Sequence, residues 1–203
     1  MHKTRLEAFS DGVFAIILTI MVLEIKVPHG HTFAALLPLL PVFLSYVLSF
    51  VYIGIYWSNH HHMLSSTQRV NGRILWANLH LLFWLSLVPV ATGWMGENHF
   101  ASHTLALYGT CLLLAGVAYW LLQNSIIAQD GRQSVLAYAI GRDRKGLASP
   151  PLYVAGIMAS FWLPWLAGAI YVAVALMWLV PDTRIERTLA AQRATTEPFE
   201  TPA

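Results

Sequence analysis

The sequence predicts an all-α integral membrane protein with six transmembrane helices. Of its 203 residues, 57% are hydrophobic and only 11% are charged, whereas soluble domains carry roughly 25% charged residues. The mean hydropathy of +0.56 agrees with this deficit. Most of the chain consists of apolar runs separated by short polar segments, and a run of about 20 apolar residues can cross a bilayer. We therefore expect a multi-pass protein whose main surroundings are lipid.

Prolines delimit several of the six predicted spans. Pro28 ends the first span, and Pro38 and Pro41 lie in the early turns of the second, where they predict a kink. Pro164 divides the last apolar stretch, which is too long for one ordinary span. The predicted spans are about residues 5–27, 33–60, 74–94, 104–128, 152–163 and 165–180. Residues 1–183 then form a transmembrane domain, and residues 184–203 form a polar cytoplasmic tail.

The basic residues predict that both termini face the cytoplasm. Cytoplasmic loops carry the excess of Lys and Arg. With six spans and cytoplasmic termini, all of the twelve basic residues except Lys26 lie on the cytoplasmic side. A single long fifth span would move the three arginines of the tail to the outside, so the distribution of charge favours six spans.

The first span, which contains FSDGVFAIILTIMVLEIKVP from residue 9, combines a charge with a smooth apolar face. At about 100° per residue, Ile16, Thr19, Ile20 and Leu23 lie within one arc of the helix surface. Asp11 lies on another side, together with the neighbouring serine. Because a carboxylate in hydrocarbon is costly, we expect it to have partners inside the protein. For the apolar face alone, lipid contact or helix packing is the default interpretation.

Candidate partners for Asp11 lie at the cytoplasmic ends of the second and third spans. In the predicted topology, the first helix starts where the second ends and the third begins, so Asp11, His60 and Asn78 lie at similar depth. Two interpretations stay open for this set. It is either an architectural hydrogen-bond network that locks the helices together or a proton relay or ion ligand.

The run His60-His61-His62 does not predict a metal site. Consecutive helical residues point about 100° apart, and neither Cys nor a Glu-x-x-His pattern accompanies the histidines. Ser10 has no neighbouring base at a spacing suited to nucleophilic catalysis. We therefore expect no metal, no cofactor and no enzymatic activity, and no nucleic-acid partner.

The segment RLEAFSDGVFAI, residues 5–16, carries the motif Arg-x-x-x-Phe-Ser-Asp at the cytoplasmic start of the first of six spans. This motif resembles the signature of the transmembrane protein 175 family of potassium channels, in particular its short prokaryotic members. The likeness covers residues 4–90, and beyond them only the topology corresponds. Further similarities lie at Trp57, His60, Asn78 and Pro89.

The resemblance implies a homotetrameric, potassium-selective channel of the bacterial inner membrane, in which the first helices line a central pore. The family lacks the Thr-Val-Gly-Tyr-Gly filter of other potassium channels, and that segment does not occur here. A ring of bulky apolar side chains acts instead as filter or gate, and it falls on Ile16, with Ile20 and Leu23 on the following turns. Thr19 matches a pore-facing hydroxyl linked to selectivity. The residues that match the polar network supporting the pore helix are Arg5, Ser10, Asp11, His60 and Asn78.

A proton-coupled transporter that uses Asp11 and His60 as a relay is the alternative function. Acid and histidine sets inside membranes serve such relays. The sequence does not show the paired, interrupted helices in matching repeats that many transporters contain. We therefore expect the partners to be potassium ions, the lipid bilayer and further copies of the chain.

Overall fold

The computed structural model describes residues 2–67, 69–131, 133–140 and 143–179, and every regular element within them is helical. This confirms the predicted all-α class. The predicted cytoplasmic tail and the basic residues Arg132 and Arg142 lie outside the described residues. The elements are α1 (Lys3–Leu23), a 3-10 segment (Phe33–Leu39), α2 (Leu40–Ser65), α3 (Gly72–Ser86), α4 (Val88–Glu97), α5 (Ser102–Asp130), α6 (Val135–Ile140), α7 (Arg144–Ser160) and α8 (Pro164–Leu179).

Several of these helices are suited to crossing a membrane. Within the described residues, four stretches are long and apolar enough to do so, namely Lys3–Leu23, Phe33–Ser65, Gly72–Glu97 and Ser102–Asp130. α8 is equally apolar but has only 16 residues. The count of six crossings and the cytoplasmic position of both termini stay predictions.

Prolines shape the first two long helical stretches. α1 ends at Leu23, earlier than the predicted end at residue 27, and Pro28 disfavours helical backbone at the residue before it. The 3-10 segment that leads into α2 contains Pro38. Because proline donates no backbone hydrogen bond, the second stretch starts irregularly, where the sequence predicts a kink.

The third apolar stretch consists of two helices rather than the continuous helix predicted at residues 74–94. α3 ends at Ser86, and the N–H of the C-cap residue Leu87 donates to the carbonyls of Leu85 and Trp84. Pro89 lies in the first turn of α4 and has no N–H with which to continue the helical pattern. The sequence contains the signal for this break in Pro89, but proline is also common in the first turn of a helix.

Asp143 sets the start of α7. Its Oδ1 accepts a hydrogen bond from the N–H of Gly146 at 2.8 Å and so caps the helix. α7 therefore begins at Arg144, before the span predicted from residue 152, and includes Pro150 and Pro151. α8 begins at Pro164, which is the proline that divides the two predicted spans.

Buried tyrosines join α2, α5, α7 and α8. The Tyr52 hydroxyl donates to the backbone carbonyl of Tyr171 at 2.6 Å, and the Tyr171 hydroxyl donates to the carbonyl of Leu105 at 3.2 Å. The rings of Tyr108 and Tyr171 lie 5.9 Å apart between centroids. Each of these phenols buries a large ring and also has a partner for its hydroxyl, which is how tyrosine is accommodated in a core.

Two glycines allow the neighbouring helices to approach Tyr171. A Cβ added at Gly109 of α5 would overlap the Tyr171 hydroxyl and lie 2.9 Å from Cγ1 of Ile157. A Cβ at Gly156 of α7 would overlap the Tyr171 ring. Since Tyr171 is 0% exposed, it has little space into which to move, and the small residues set the helix spacing.

The substitution Gly109→Ala tests this packing. We expect it to destabilise the protein by about 1–3 kcal/mol, because the added methyl group forces the buried Tyr171 ring to move. The measurement is the midpoint of thermal unfolding in detergent. Gly54→Ala is the control, since a Cβ at Gly54 of α2 meets no atom within 4 Å. Equal midpoints for the two variants would contradict the assigned role of Gly109.

Candidate pore helix and its polar network

α1 has one face buried in its own chain and one face exposed. The buried side chains are Leu6, Ser10, Phe14, Ile17 and Met21. On the other face, Ile16 is 58%, Ile20 43% and Leu23 80% exposed, and Thr19 is exposed as well. The four residues predicted to line a pore therefore share a face that makes little contact with the rest of the chain.

Thr19 uses its hydroxyl hydrogen within the helix. Its Oγ1 donates to the carbonyl of Ile16 at 2.9 Å. A hydroxyl that donates in this way keeps its oxygen lone pairs as acceptors. On the exposed face of α1, Thr19 thus presents an acceptor oxygen among apolar neighbours.

Polar contacts attach both ends of α1 to other helices. Near the first turn, Lys3 Nζ donates to the carbonyl of Ser65 at 3.2 Å, at the end of α2. Beyond the last turn, Lys26 Nζ lies 2.6 Å from Oε1 of Glu97, at the end of α4. Both pairs lie near the surface, where such contacts contribute little to stability. They therefore orient the ends of α1 but add little to the free energy of its packing.

A buried hydrogen-bonded chain links α1, α3 and α2. The Ser10 hydroxyl donates to the Leu6 carbonyl at 2.8 Å and accepts from Nδ2 of Asn78 at 3.0 Å. Oδ1 of Asn78 lies 2.7 Å from Nε2 of His60. Because a carbonyl oxygen only accepts, Nε2 of His60 carries the hydrogen. Ser10, Asn78 and His60 are each at most 1% exposed, so the chain is closed to solvent.

Asp11 lies beside this chain and has a different partner. Its Oδ1 accepts a hydrogen bond of 2.9 Å from Nε1 of Trp57 on α2. Asp11 is exposed, so the expectation that it points into the bundle with Ser10 is not met. The buried arc of α1 is centred on Ser10 and Phe14, and Asp11 falls at the edge between α1 and α2.

Arg5 is separate from the other predicted network residues. It is exposed, and its side chain has no hydrogen bond or ion pair with any residue that the structure describes. Of the five predicted members, the structure thus joins Ser10, Asn78 and His60 and places Asp11 next to them.

Trp57 belongs to the site, although the Arg-x-x-x-Phe-Ser-Asp motif assigns it no role. It lies three residues before His60 on α2, so both project toward α1 from adjacent turns. This spacing is visible in the sequence, but it does not indicate that the indole N–H reaches a carboxylate on another helix. His61 lies next to Trp57 on α2, and the centroids of the two rings are 6.4 Å apart.

The three histidines of α2 do not converge on a common point. The ring of His60 packs at 5.5 Å from that of Phe14, whereas His61 contacts Trp57 on the exposed side. Among the described residues, no group of three or more His, Cys, Asp or Glu side chains is placed to hold a metal ion.

Fold and site together define a multi-pass helical membrane protein that fastens one side of its first helix and leaves the other, apolar side exposed. Comparison with known proteins places it more narrowly. The family model "Endosomal/lysosomal potassium channel TMEM175" matches residues 5–89. A protein of Chryseobacterium sp. (strain P1-3) named a potassium channel is 56% identical over 93% of this chain and 98% of its own. The chain belongs to the TMEM175 family.

Two further comparisons extend this result. A crystal structure described as a lysosomal potassium-selective channel TMEM175 homolog from Chamaesiphon minutus matches with a TM-score of 0.77 and 29% identity. The match covers 89% of this chain and 97% of that one. A Gallus gallus protein named an endosomal/lysosomal proton channel is 33% identical over 51% of this chain but only 23% of its own.

Family membership confirms three of the predictions. The resemblance drawn from the Arg-x-x-x-Phe-Ser-Asp motif is correct. The chain is not an enzyme, because the family consists of ion channels. The predicted location in the bacterial cell membrane as a multi-pass protein is likewise confirmed.

The substitution Asn78→Leu tests the buried chain. It leaves the Nε2–H of His60 without its partner, and we expect a loss of about 1–3 kcal/mol of stability. The measurement is the thermal unfolding midpoint. Asn124→Leu on α5 is the matched control, because Asn124 is exposed and, within the described part of the chain, its side chain donates only to the carbonyl of Trp120 in its own helix. If both variants lower the midpoint equally, the chain is not a stabilising link.

Proposed function

We propose that this chain forms a homotetrameric, potassium-selective cation channel in which α1 of each copy lines the central pore. The observation that carries the proposal is the two-sided packing of α1. Its polar side is fastened within the chain, and the exposed side carries Ile16, Thr19, Ile20 and Leu23. The names of the bacterial relatives, which are potassium channels, support the same function.

An apolar constriction takes the place of a carbonyl filter in this proposal. Four copies of α1 around one axis would bring the Ile16 side chains into a ring, with Ile20 and Leu23 on the next turns. Such a ring can empty a narrow pore of water and thereby gate it. An ion that crosses must shed part of its hydration shell, and potassium is hydrated less tightly than sodium. The ring would therefore act as both filter and gate.

Thr19 provides the polar element of the proposed pore wall. Because its hydroxyl hydrogen is engaged by the Ile16 carbonyl, the oxygen is free to face a passing cation with its lone pairs. In the wheel of α1, Thr19 lies between the levels of Ile16 and Ile20. We assign it the part of a cation ligand next to the apolar ring.

The polar network is proposed to fix the rotation of α1. The bonds from Ser10 through Asn78 to His60 hold one side of the helix against α3 and α2. Asp11 and Trp57 fasten the adjacent edge. Arg5, which is exposed at the same end of α1, is assigned to the network as a group that finds its partner in the assembled tetramer.

The alternative, a proton-coupled transporter with an Asp11 and His60 relay, has less geometric support. Asp11 is bonded to Trp57 and His60 to Asn78, so a proton could pass between them only after both bonds rearrange. Because the Gallus gallus relative is named a proton channel, proton flux should nevertheless be measured as well.

Ion flux through the purified protein in liposomes tests the proposed function. With opposed potassium and sodium gradients, we expect fast potassium flux that is driven by its own gradient and is larger than the sodium flux. Protein-free liposomes are the control for leakage. Flux that requires a pH gradient and is stoichiometrically coupled to protons would establish the transporter instead, and no cation flux in either arrangement would reject both functions.

The substitution Ile16→Asn tests the assigned constriction in the same assay. A polar ring holds water more readily than an apolar one, so we expect a larger current, a lower preference for potassium over sodium, or both. Val22→Asn is the matched control, because Val22 is also an exposed apolar residue of α1 but projects about 120° away from Ile16. Unchanged flux and selectivity in Ile16→Asn would remove this residue from the pore.

A further inference from the structure

A cavity of about 300 Å³ lies between α2, α5, α7 and α8. No residue of α1, which is described along its whole length, lines this cavity, so it is separate from the proposed pore. Cavities of roughly this volume between helices hold small organic ligands in other proteins. Gly116 of α5 forms part of the wall.

Six aromatic side chains line the cavity. The ring of Trp178 already interacts with a cation on one side, because Nζ of Lys145 lies 5.9 Å from its centroid. Faces of tryptophan and tyrosine attract ammonium groups in this way, most strongly where water is excluded. The aromatic lining residues are Tyr52, Tyr56, Tyr119, Trp120, Tyr153 and Trp178.

The polar side chains of the cavity lie at one end of the bundle. At that end α2 and α5 approach their C-termini and α7 begins. Gln123 is only 8% exposed, and its amide offers both donors and an acceptor. Gln123 lines the cavity, so a ligand there could pair with its amide.

Asp143 supplies the charge. Among the described lining residues it is the only acidic one, and they include no Lys, Arg or His. One of its oxygens caps α7 through Gly146, and a carboxylate retains further acceptor positions after one such bond. The wall of the cavity thus carries a negative charge next to aromatic faces.

We infer that this cavity binds a small amphiphilic organic cation, namely a protonated amine on an apolar, preferably aromatic, body. The ammonium group pairs with Asp143 and the amide oxygen of Gln123, and the body packs against the tyrosine and tryptophan rings. An anionic amphiphile would meet the Asp143 carboxylate, and a wholly apolar molecule would leave Gln123 unpaired at a cost. The inference is independent of the proposed ion conduction.

Binding of two matched probes to the full-length protein in lipid nanodiscs tests the inference by calorimetry. The probes are 4-phenylbutylamine, which is protonated at neutral pH, and 4-phenyl-1-butanol, which has the same body without the charge. We expect saturable binding of the amine that is about tenfold tighter than that of the alcohol. Equal affinities, or no saturable binding of the amine, would overturn the inference.

Three variants locate the site. A Cβ at Gly116 would make ordinary contacts, 3.7 Å from the Tyr56 hydroxyl and 3.9 Å from the Tyr153 ring, so Gly116→Leu places a side chain in the cavity and should abolish binding of both probes. Gly54→Leu is the control at a glycine with open space and should leave binding unchanged. Asp143→Asn keeps a side chain that caps helices well and should remove the preference for the amine.

The outcomes for these variants are decisive even if one of them folds poorly. Undiminished amine binding to a folded Gly116→Leu protein places the ligand elsewhere and rejects the cavity. Should Gly116→Leu not fold, Asp143→Asn decides the question, since an unchanged ratio of amine to alcohol affinity rejects the assigned carboxylate. Circular dichroism and size-exclusion chromatography establish which variants are folded.

Discussion

The rotation of α1 about its own axis is the constraint on which the remaining structure depends. The helix is apolar almost throughout, so hydrophobic burial in a bilayer distinguishes its faces only weakly. Hydrogen bonds do distinguish them, because an unpaired polar group inside the membrane is costly. Ser10 must face Asn78, and Asn78 must face His60. Once that side is fixed, Ile16 and Thr19 necessarily face away from the chain that carries them. The selection of the exposed face therefore comes from the polar side of the helix and not from the apolar residues themselves.

The other half of the bundle is held together by a different kind of interaction. There, close approach at Gly109 and Gly156 lets α5 and α7 pack on the Tyr171 ring, and tyrosine hydroxyls bond to backbone carbonyls. Lipid tails are as apolar as leucine, so helices in a membrane associate through such close packing and through hydrogen bonds. Tyr52 and Tyr153, which contact Tyr171, also line the cavity near Gly116.

Much of the fold could be predicted from the sequence, since prolines and apolar runs act locally. Pro164 separates α7 from α8, and the irregular start before α2 follows from Pro38. The break at Leu87 could not be predicted securely, because Pro89 is compatible with either a helix interior or a first turn. In the site, helix periodicity correctly separated Ser10 from the Ile16 face. It could not determine where Asp11 lies, since that depends on whether an indole from α2 is within reach, and the bond to Trp57 arises only from tertiary packing.

α2 connects the two halves of the molecule. Trp57 and His60 project toward α1 and the buried chain, whereas Tyr56 and Asn59 line the cavity on the other side. These residues lie within a turn or so of one another. One short segment of α2 therefore supplies both part of the cavity wall and the side chains whose bonds orient α1.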